Sequence, residues 1–170
     1  MAFTPPPIIW RDDDIWRETK LSVLEAVDDI FQRYGVTHTI AVQAAGLEAR
    51  PDLVALIKQR RMDVQLHCWD HHDLTADGNA RSDLSKAVIQ IEVLFGQRPT
   101  LLFPPWNKTN DLVRAAAAKL GLTVRADKIS LEAYIRAAGH VREDVVNFHH
   151  WEPNDVALLD EAFRLHERWR

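Results

Sequence analysis

The sequence predicts an α/β fold, a distorted or partial parallel (β/α) barrel of about six to seven strands with outer helices. Two observations favour it. Short apolar runs alternate with amphipathic segments along all 170 residues, which is typical of parallel strands covered by helices. Polar clusters follow these runs, and in a barrel the carboxyl ends of all strands open onto one face. A doubly wound sheet would gather ligands only beside its switch point, so it explains the clusters less well.

The strands are predicted from short runs of apolar and β-branched residues that stop at a polar or turn-forming residue. The run VTHTIAVQA is broken by Gly46, and PTLLF stops at Pro104 and Pro105, which cannot donate ladder hydrogen bonds. In chain order the predicted strands are Ile8–Trp10, Val36–Ala44, Met62–Leu66, Pro99–Phe103, Leu122–Arg125 and Val145–Phe148.

The helices are predicted from apolar residues spaced three or four positions apart. Leu21, Leu24 and Val27 show this spacing in the first helix, which Gly35 ends. Pro51 suits the first turn of the second helix. In chain order the predicted helices are Thr19–Tyr34, Pro51–Arg61, Ser82–Phe95, Asp111–Leu120, Ser130–Ala138 and a last helix that begins at Pro153.

Composition excludes several classes of partner. A net charge of −4, a pI near 6.0 and the lack of any Lys/Arg run argue against binding to nucleic acid or to an anionic membrane. A neutral or small-molecule partner is therefore expected; a glycan partner is implied only by the motifs described below. Cys68 is the only cysteine, which rules out an intrachain disulfide. No signal peptide or membrane span is evident in the sequence, so a cytoplasmic location is expected.

The densest group of potential metal ligands follows the third predicted strand. His67 and His71 lie four residues apart, or about 13 Å in an extended chain, so a helical turn is expected to aim both rings at one ion. One or two carboxylates from Asp12–Asp14 would complete an oxygen-plus-two-nitrogen set that leaves a coordination position for water, as in catalytic zinc sites. Cobalt, nickel, manganese and iron suit the same ligands. A carboxylate that does not bind the metal could accept a proton from water.

Four ordered motifs resemble those of the polysaccharide deacetylase family, carbohydrate esterase family 4 and its relatives. They are Arg11–Ile15, His67–His71, Phe103–Asn107 and Phe148–His149, each at the end of a predicted strand. The resemblance spans nearly the whole chain. It implies one deacetylase-like (β/α) barrel domain over residues 1–170, a divalent metal, with zinc as the first expectation, and removal of N- or O-acetyl groups from sugars.

The resemblance also implies roles for single residues. Asp13 would be the general base and Asp14 a metal ligand, with His67 and His71 as the other two ligands. If the register is one residue earlier, the aspartate pair is Asp12 and Asp13 instead. The sequence does not decide between the two registers.

Further residues match later motifs of the family. His149 matches the histidine that protonates the leaving group, and His150 is the alternative because the strand register is not fixed. Asp127 would orient His149 through a hydrogen bond, although a surface position explains it equally well. The residues expected to face the substrate are Pro105, Trp106, Asn107 and Trp151, with plain packing as an equal explanation for the two tryptophans.

Two positions depart from the family pattern. The arginine that usually tethers the base aspartate is replaced by Phe103, so we expect Arg11 or Arg125 to supply a positive charge beside Asp13. Ile15 follows the aspartates where the family usually has glycine, which predicts a more closed groove floor.

The sequence therefore predicts a metal-dependent hydrolase that removes an acetyl group from a sugar or a related small amide. Two other functions stay open. A catalytically inactive barrel that binds a glycan or scaffolds a partner is supported by the short chain and the missing arginine. Another metal hydrolase, such as a phosphodiesterase, is less favoured by a single metal site and an acidic chain.

Overall fold

The fold is a curled parallel sheet that helices cover on its outer side. The computed structural model describes residues 8–76, 78, 80–142 and 144–168. Its strands are β1 (Ile9–Ile15), β2 (Thr39–Gln43), β3 (Asp63–Cys68), β4 (Leu101–Leu102), β5 (Thr123–Val124), β6 (Ile129–Ser130) and β7 (Val145–Phe148). They form one sheet in the order β5-β4-β3-β2-β1-β7-β6, with parallel pairing throughout. The predicted partial parallel barrel is confirmed, with β5 and β6 as the edges of a half-barrel.

Six α-helices within the described ranges lie outside the sheet, in the order predicted from sequence. They are α1 (Leu21–Tyr34), α2 (Pro51–Arg60), α3 (Ala80–Phe95), α4 (Asp111–Lys119), α5 (Leu131–Arg136) and α6 (Pro153–Glu167). Gly35 ends α1 in the left-handed conformation, with a φ of 61°, and its N–H donates back to the last turn. None of the helices in the described residues is long and apolar enough to cross a bilayer.

The hydrophobic core lies mainly between the sheet and its helices. One cluster joins β2, β3 and β4 to α2, α3 and α4, and a second joins β1 and β7 to α1, α5 and α6. In the second cluster Trp10 packs edge-on against Tyr134 and Phe163, with ring centroids 5.1 and 4.7 Å away. These contacts fix the outer face of β1, which lies inside the sheet between β2 and β7.

A smaller cluster fills the inside of the half-barrel. It consists of Ala41, Phe103 and Val145, with Ile9 and Leu101 packed against them. All five have odd numbers, and side chains alternate between the two faces of a strand. From Ile9 to Asp13 in β1, and in β2, β3 and β7, the odd-numbered residues therefore face the interior and the even-numbered residues face the helices. Ile15, at the end of β1, packs with the outer cluster.

The structure corrects where three of the predicted elements end. β1 runs on to Ile15 instead of stopping at Trp10, because β2 and β7 pair with it on both sides. β3 includes His67 and Cys68, and residues 69–72 form bends where a helical turn was expected. Ile129–Ser130 is an additional short strand, so the helix predicted from Ser130 begins one residue later.

Two irregularities in the ladders lie at the carboxyl end of the sheet. Between Asp12 and Ile15, β1 advances three residues while β2 advances two, from Ile40 to Val42. In the next pair, β3 advances two residues while β2 advances one, so that Gln43 pairs with Cys68. Each strand thus contains one extra residue, as in a β-bulge. Bulges redirect side chains locally, and these two lie beside the candidate metal ligands.

A buried chain of acids and histidines connects β1 to α1, β2 and the segment after β7. His38 lies between Asp28 and Asp12, with ring nitrogens 3.1 and 3.2 Å from their carboxylates. The other oxygen of Asp12 accepts from the backbone N–H of His150 at 2.9 Å and lies 3.0 Å from its Nδ1. All four side chains are buried. The ring of Phe31 stacks on His38 at 4.2 Å.

This chain should stabilise the fold within a defined pH window. Burial alone would raise the pKa of Asp12, but His150 and His38 lower it below 3.8, so its contribution is present above pH 3.8 and is lost as pH falls through the folded pKa. Burial would lower the pKa of His38, but Asp12 and Asp28 raise it above 6.5. Its contribution is therefore present below pH 6.5 and is lost as pH rises through the folded pKa.

We predict that His38→Gln lowers the free energy of unfolding most between pH 3.8 and 6.5, and progressively less above that range. Urea denaturation of the metal-free protein across this range would measure the difference from the parent. Phe163→Leu is the control, because it removes core packing without a titratable group and should destabilise the protein similarly at each pH. A deficit in His38→Gln that is equally independent of pH would contradict the prediction.

Candidate active site

Four consecutive charged residues at the end of β1 divide between the two faces of the sheet. Arg11 and Asp13 have inward parity, whereas Asp12 has outward parity and joins the buried chain with His38. Asp14 departs from the alternation, because its φ of 63° is left-handed and turns its side chain across the end of the strand. Left-handed residues other than glycine are uncommon, although aspartate is among the types that tolerate this conformation.

The carboxylate of Asp14 meets two imidazoles at the carboxyl end of the sheet. Its Oδ1 lies 3.3 Å from Nε2 of His67 and 3.4 Å from Nε2 of His71. The amide of Gln43, at the end of β2, donates to the same oxygen at 2.9 Å. Burial alone would raise the pKa of Asp14, but the imidazoles and this amide lower it, so the carboxylate is ionised at neutral pH. Sequence-predicted residues from two distant segments are thereby brought together.

The hydrogen-bonding state of His67 shows that this group suits a metal ion. Its Nδ1 lies 2.6 Å from the carbonyl oxygen of Phe103, which can only accept, so Nδ1 holds the hydrogen in the neutral ring. Nε2 then presents a lone pair, and this buried atom has no hydrogen-bond partner in the described part of the chain. A backbone carbonyl behind a histidine in this way is characteristic of metal ligands.

The spacing of the ligand atoms agrees with tetrahedral coordination. Zinc binds nitrogen and carboxylate oxygen at about 2.0–2.2 Å, which places neighbouring ligand atoms of a tetrahedron about 3.4 Å apart. The two measured separations are 3.3 and 3.4 Å, and all three ligand atoms lie within 4.8 Å of one another. Burial lowers the pKa of His71, and the nearby His67 lowers it further, although Asp14 and Asp13 have the opposite effect. The lowered pKa favours the neutral ring that ligation requires.

Asp13 is held inside the half-barrel by Arg11. The guanidinium of Arg11 contacts both carboxylate oxygens of Asp13, and its third nitrogen donates to Oδ1 of Asn107 at 3.0 Å. Its central carbon lies 4.7 Å above the ring of Phe103, the residue at the usual arginine position. Both charged side chains are almost fully buried. Of the two arginines proposed from sequence, Arg11 is therefore the one that contacts Asp13.

Arg125 faces other carboxylates. Its guanidinium contacts Asp144 and lies 3.3 Å from Asp127. Asp127 pairs with Arg125 two residues away and its side chain is exposed, as in the alternative surface position given for it above. The carboxylate beside His149 belongs to Asp155, in the first turn of α6.

His149 and His150 lie on opposite faces of the strand end. His149 continues the inward parity of β7, and its Nε2 lies 3.9 Å from Oδ2 of Asp14. Its Nδ1 lies 3.5 Å from Asp155, which also accepts from the His149 backbone N–H at 3.0 Å. His150 has outward parity and contacts Asp12 instead. His149 is therefore the histidine beside the candidate metal ligands.

The loop after β4 brings an aromatic ring to the same place. Trp106 is 57% exposed. Its ring packs edge-to-face against the imidazole of His71, with an interplanar angle of 80° and centroids 4.5 Å apart. Trp106 and Asn107 both have positive φ values, of 51° and 57°, and Pro105 is buried beneath them. Trp151 is 49% exposed, with its ring centroid 4.9 Å from that of His149.

Sequence reasoning missed several groups that support the site. Gln43 is a polar residue at the end of an apolar strand, and Asp155 is a carboxylate in the first turn of a helix, so both had detectable signals. His38 lay within a predicted strand and was not considered. The carbonyl of Phe103 had no signal at all, because any residue type supplies one.

Comparison with known proteins identifies the family. The sequence profile of the polysaccharide deacetylase family matches residues 11–125. The chain belongs to the polysaccharide deacetylase family. Chitin deacetylase 1 from Cryptococcus neoformans var. grubii is 28% identical over 97 residues, which cover 56% of this chain and 21% of that protein. This deacetylase-family chain thus spans about a fifth of the length of that curated relative.

Solved structures share the fold of this family member. A family 4 carbohydrate esterase from Streptomyces lividans, in complex with acetate, superposes with a TM-score of 0.80 and 22% identity, covering 95% of this chain and 88% of that one. A family 4 pseudoenzyme from Bacillus anthracis superposes with a TM-score of 0.84 and 15% identity, covering 96% of this chain and 62% of that one. A mutant of that pseudoenzyme is described as having restored enzymatic activity.

We predict that His67→Ala and His71→Ala each abolish tight binding of Zn²⁺. Even residues that only support a ligand contribute about 10- to 100-fold in affinity, so loss of a ligand should weaken binding by about 100-fold or more. Competition with a chromogenic chelator would measure the dissociation constant. His72→Ala is a matched control in the same segment, because its Nε2 faces Asp83 at 3.2 Å. Equal Zn²⁺ affinity in all three variants would disprove the assignment.

Proposed function

We propose that this protein is a metal-dependent hydrolase that removes an acetyl group from an N- or O-acetylated sugar or a related small amide. One observation supports this most strongly. Asp14, His67 and His71 direct a carboxylate and a buried imidazole lone pair at one point. A second carboxylate, that of Asp13, comes from the adjacent residue of β1. A structural zinc site would normally have four protein ligands, whereas three leave a position for the reacting molecules.

The proposed cofactor is a divalent cation held by Asp14, His67 and His71, with zinc as the first candidate. Cobalt, nickel, manganese and iron also accept imidazole and carboxylate ligands, so the ligand types do not select one of them. A bound cation supplies a Lewis acid, which polarises the scissile carbonyl and makes water more acidic. Gln43 and the Phe103 carbonyl hold Asp14 and His67 in place for this role.

Asp13 is the proposed general base. Its two oxygens accept from Arg11, so the carboxylate is fixed in orientation inside the half-barrel. It would accept the proton of the attacking water. Arg11, in β1, holds Asp13 in this orientation. The third motif supplies no charge here, because it places the aromatic ring of Phe103 beneath the guanidinium.

His149 is the proposed general acid. To act as an acid, the ring must carry hydrogens on both nitrogens: the one on Nδ1 is directed at Asp155, and the one on Nε2 faces the reaction centre, where Asp14 lies 3.9 Å away. From there Nε2 can give a proton to the departing amine or alcohol. Its 28% exposed side chain lets the leaving group reach it, whereas the side chain of His150 is only 3% exposed.

The proposed substrate-binding residues are on two sides of this centre. Trp106 and Trp151 present exposed aromatic surfaces, which suit the apolar faces of a sugar ring. Asn107 connects the loop to Arg11, and Pro105 lies buried below it. A backbone N–H of this loop is the proposed partner for the negative oxygen that develops when water adds to the carbonyl.

An inactive barrel that binds a glycan is the second candidate function. Phe103 in place of the family's arginine favours it, and so does the existence of a pseudoenzyme with this fold. The two functions differ in one measurable property. The hydrolase should release acetate only when loaded with metal, whereas the inactive barrel would bind acetylated sugars without releasing acetate.

We predict that Asp13→Asn and His149→Ala each reduce kcat for acetate release by about 100- to 10,000-fold, the usual contribution of a general acid or base. The assay would use zinc-loaded protein and a panel of N-acetylated and O-acetylated oligosaccharides. Zn²⁺ affinity should stay within a few-fold of the parent, since neither residue is a proposed ligand.

Asp127→Asn is the control for these two variants. It removes a carboxylate that contacts Arg125 at the surface, and it should leave acetate release close to the parent rate. Acetate release that survives removal of the metal, or that is unaffected by Asp13→Asn, would refute the proposed mechanism.

We predict that Arg11→Lys lowers kcat by about 10-fold or more without weakening Zn²⁺ binding. Lysine keeps the charge, but it cannot contact the two carboxylate oxygens of Asp13 and the amide oxygen of Asn107 at the same time. Asp13, the proposed base, would therefore lose its fixed orientation. Steady-state kinetics and metal titration on the same preparation would test this. Arg125→Lys is the matched control, because that guanidinium pairs with Asp127 and Asp144. Equal kinetic effects of the two changes would exclude a specific role for Arg11.

A further inference from the structure

A large cavity opens beside the candidate metal ligands, and Asp14 and His71 are among the residues that line it. Its volume is about 960 Å³, and the start of α1 and the start of α6 both contribute to it. Most of its wall is carbon. The apolar side chains that form this wall are Trp16, Val23, Trp151, Pro153, Val156 and Ala157. Polar residues, among them Glu18, Lys20, Gln43 and Asp70, line the cavity as well.

The walls of the cavity are fixed by hydrogen bonds. Thr19 Oγ1 accepts from the backbone N–H of Trp16 at 3.0 Å, and the guanidinium of Arg50 contacts the carbonyls of Arg17 and Thr19. On the opposite side, His150 is attached to Asp12 through both its backbone N–H and its Nδ1. A cavity whose shape is preformed in this way loses little entropy when a ligand enters it.

An acetyl group does not account for this cavity. A methyl group occupies a small part of a volume within the usual range of about 300–1,000 Å³ for the sites of drug-sized ligands. The carbon surface of the wall offers no hydrogen-bond partner to hydroxyl groups, which polar lining residues such as Glu18, Lys20 and Asp70 can bind only at their own positions, so the apolar part of the cavity favours a group without hydroxyls. An alkyl chain or an aromatic ring has no such groups, so its transfer from water to these walls is favourable.

We infer that the cavity binds an apolar group of the substrate, larger than the acetyl methyl, while the scissile amide or ester lies at Asp14 and His71. This inference rests on the proposed function for the place of the scissile bond. The apolar group is either the acyl chain or a substituent on the departing amine or alcohol. Both have the same chemistry, and the test below separates them.

Binding of hydroxamic acids tests the inference without requiring turnover. Three ligands share one chelating group. Acetohydroxamic acid has no long chain, hexanohydroxamic acid has a six-carbon chain on the acyl side, and N-hexyl acetohydroxamic acid has a six-carbon chain on the nitrogen side. Calorimetry with zinc-loaded protein would give each dissociation constant. Each buried methylene contributes about fourfold in affinity, so one of the longer ligands should bind at least about 10-fold more tightly than acetohydroxamic acid.

Variants at Ala157 show whether the gain comes from the cavity. Ala157→Leu should reduce the affinity ratio in part and Ala157→Phe should remove it, because Ala157 is an exposed helical residue whose larger side chain would occupy the cavity. Ala115→Phe is the matched control, on an exposed position of α4, and should keep the parent ratio. A stronger effect of the acyl-side chain assigns the cavity to the acyl group, and a stronger effect of the nitrogen-side chain assigns it to the departing group.

Two results would overturn the inference. The first is that the long ligands bind no more tightly than acetohydroxamic acid, or do not bind detectably. The second is that the long ligands bind more tightly but Ala157→Phe leaves this gain intact. Failure of the proposed function has a different signature. The metal-loaded protein would then release no acyl group from any ester or amide tested, whatever the ratio of hydroxamate affinities.

Discussion

The burial of consecutive charges at the end of β1 is the constraint on which the rest of the structure depends. Arg11 and Asp12 are fully buried and Asp13 is 4% exposed, so each charge needs a partner within the protein. Strand alternation sends these charges to two faces. Inside the half-barrel Arg11 and Asp13 satisfy each other, and on the outer face Asp12 is satisfied by His38 and His150. The interactions that hold β1 in the sheet are therefore the ones that build the site.

The sequence contained the general plan of the site but not its geometry. The position of polar clusters after apolar runs was enough to predict that Asp14, His67 and His71 converge. The route by which they converge was not predictable, because rules based on apolar runs end β1 at Trp10 and β3 at Leu66. The charged residues stay in the strands because their partners come from elsewhere in the chain, and the bulges then turn the ligands inward. Only the paired sheet contains that information.

Arg11 compensates for the departure that the third motif shows from the family resemblance. That resemblance implies an arginine where Phe103 stands, and here a guanidinium from β1 lies on the ring of Phe103 and contacts Asp13. The positive charge beside Asp13 therefore comes from the first motif. A pseudoenzyme with the same fold shows that the fold by itself does not establish activity. The case for catalysis rests on the survival of this contact and on the unpaired lone pair of His67.

The two faces of the sheet end also separate the residues of the proposed reaction from the cavity proposed for recognition. Inward parity places Asp13, His67 and His149 on the side of the sheet end where the proposed charge and proton transfer would occur. Outward parity places His150 at the wall of the apolar cavity, where Asp12 holds it. Asp14 lies at the boundary, because its left-handed backbone lets it contact the inward imidazoles and also line the cavity. A single residue with a positive φ thereby connects the chemical centre to the space in which the rest of a substrate would lie.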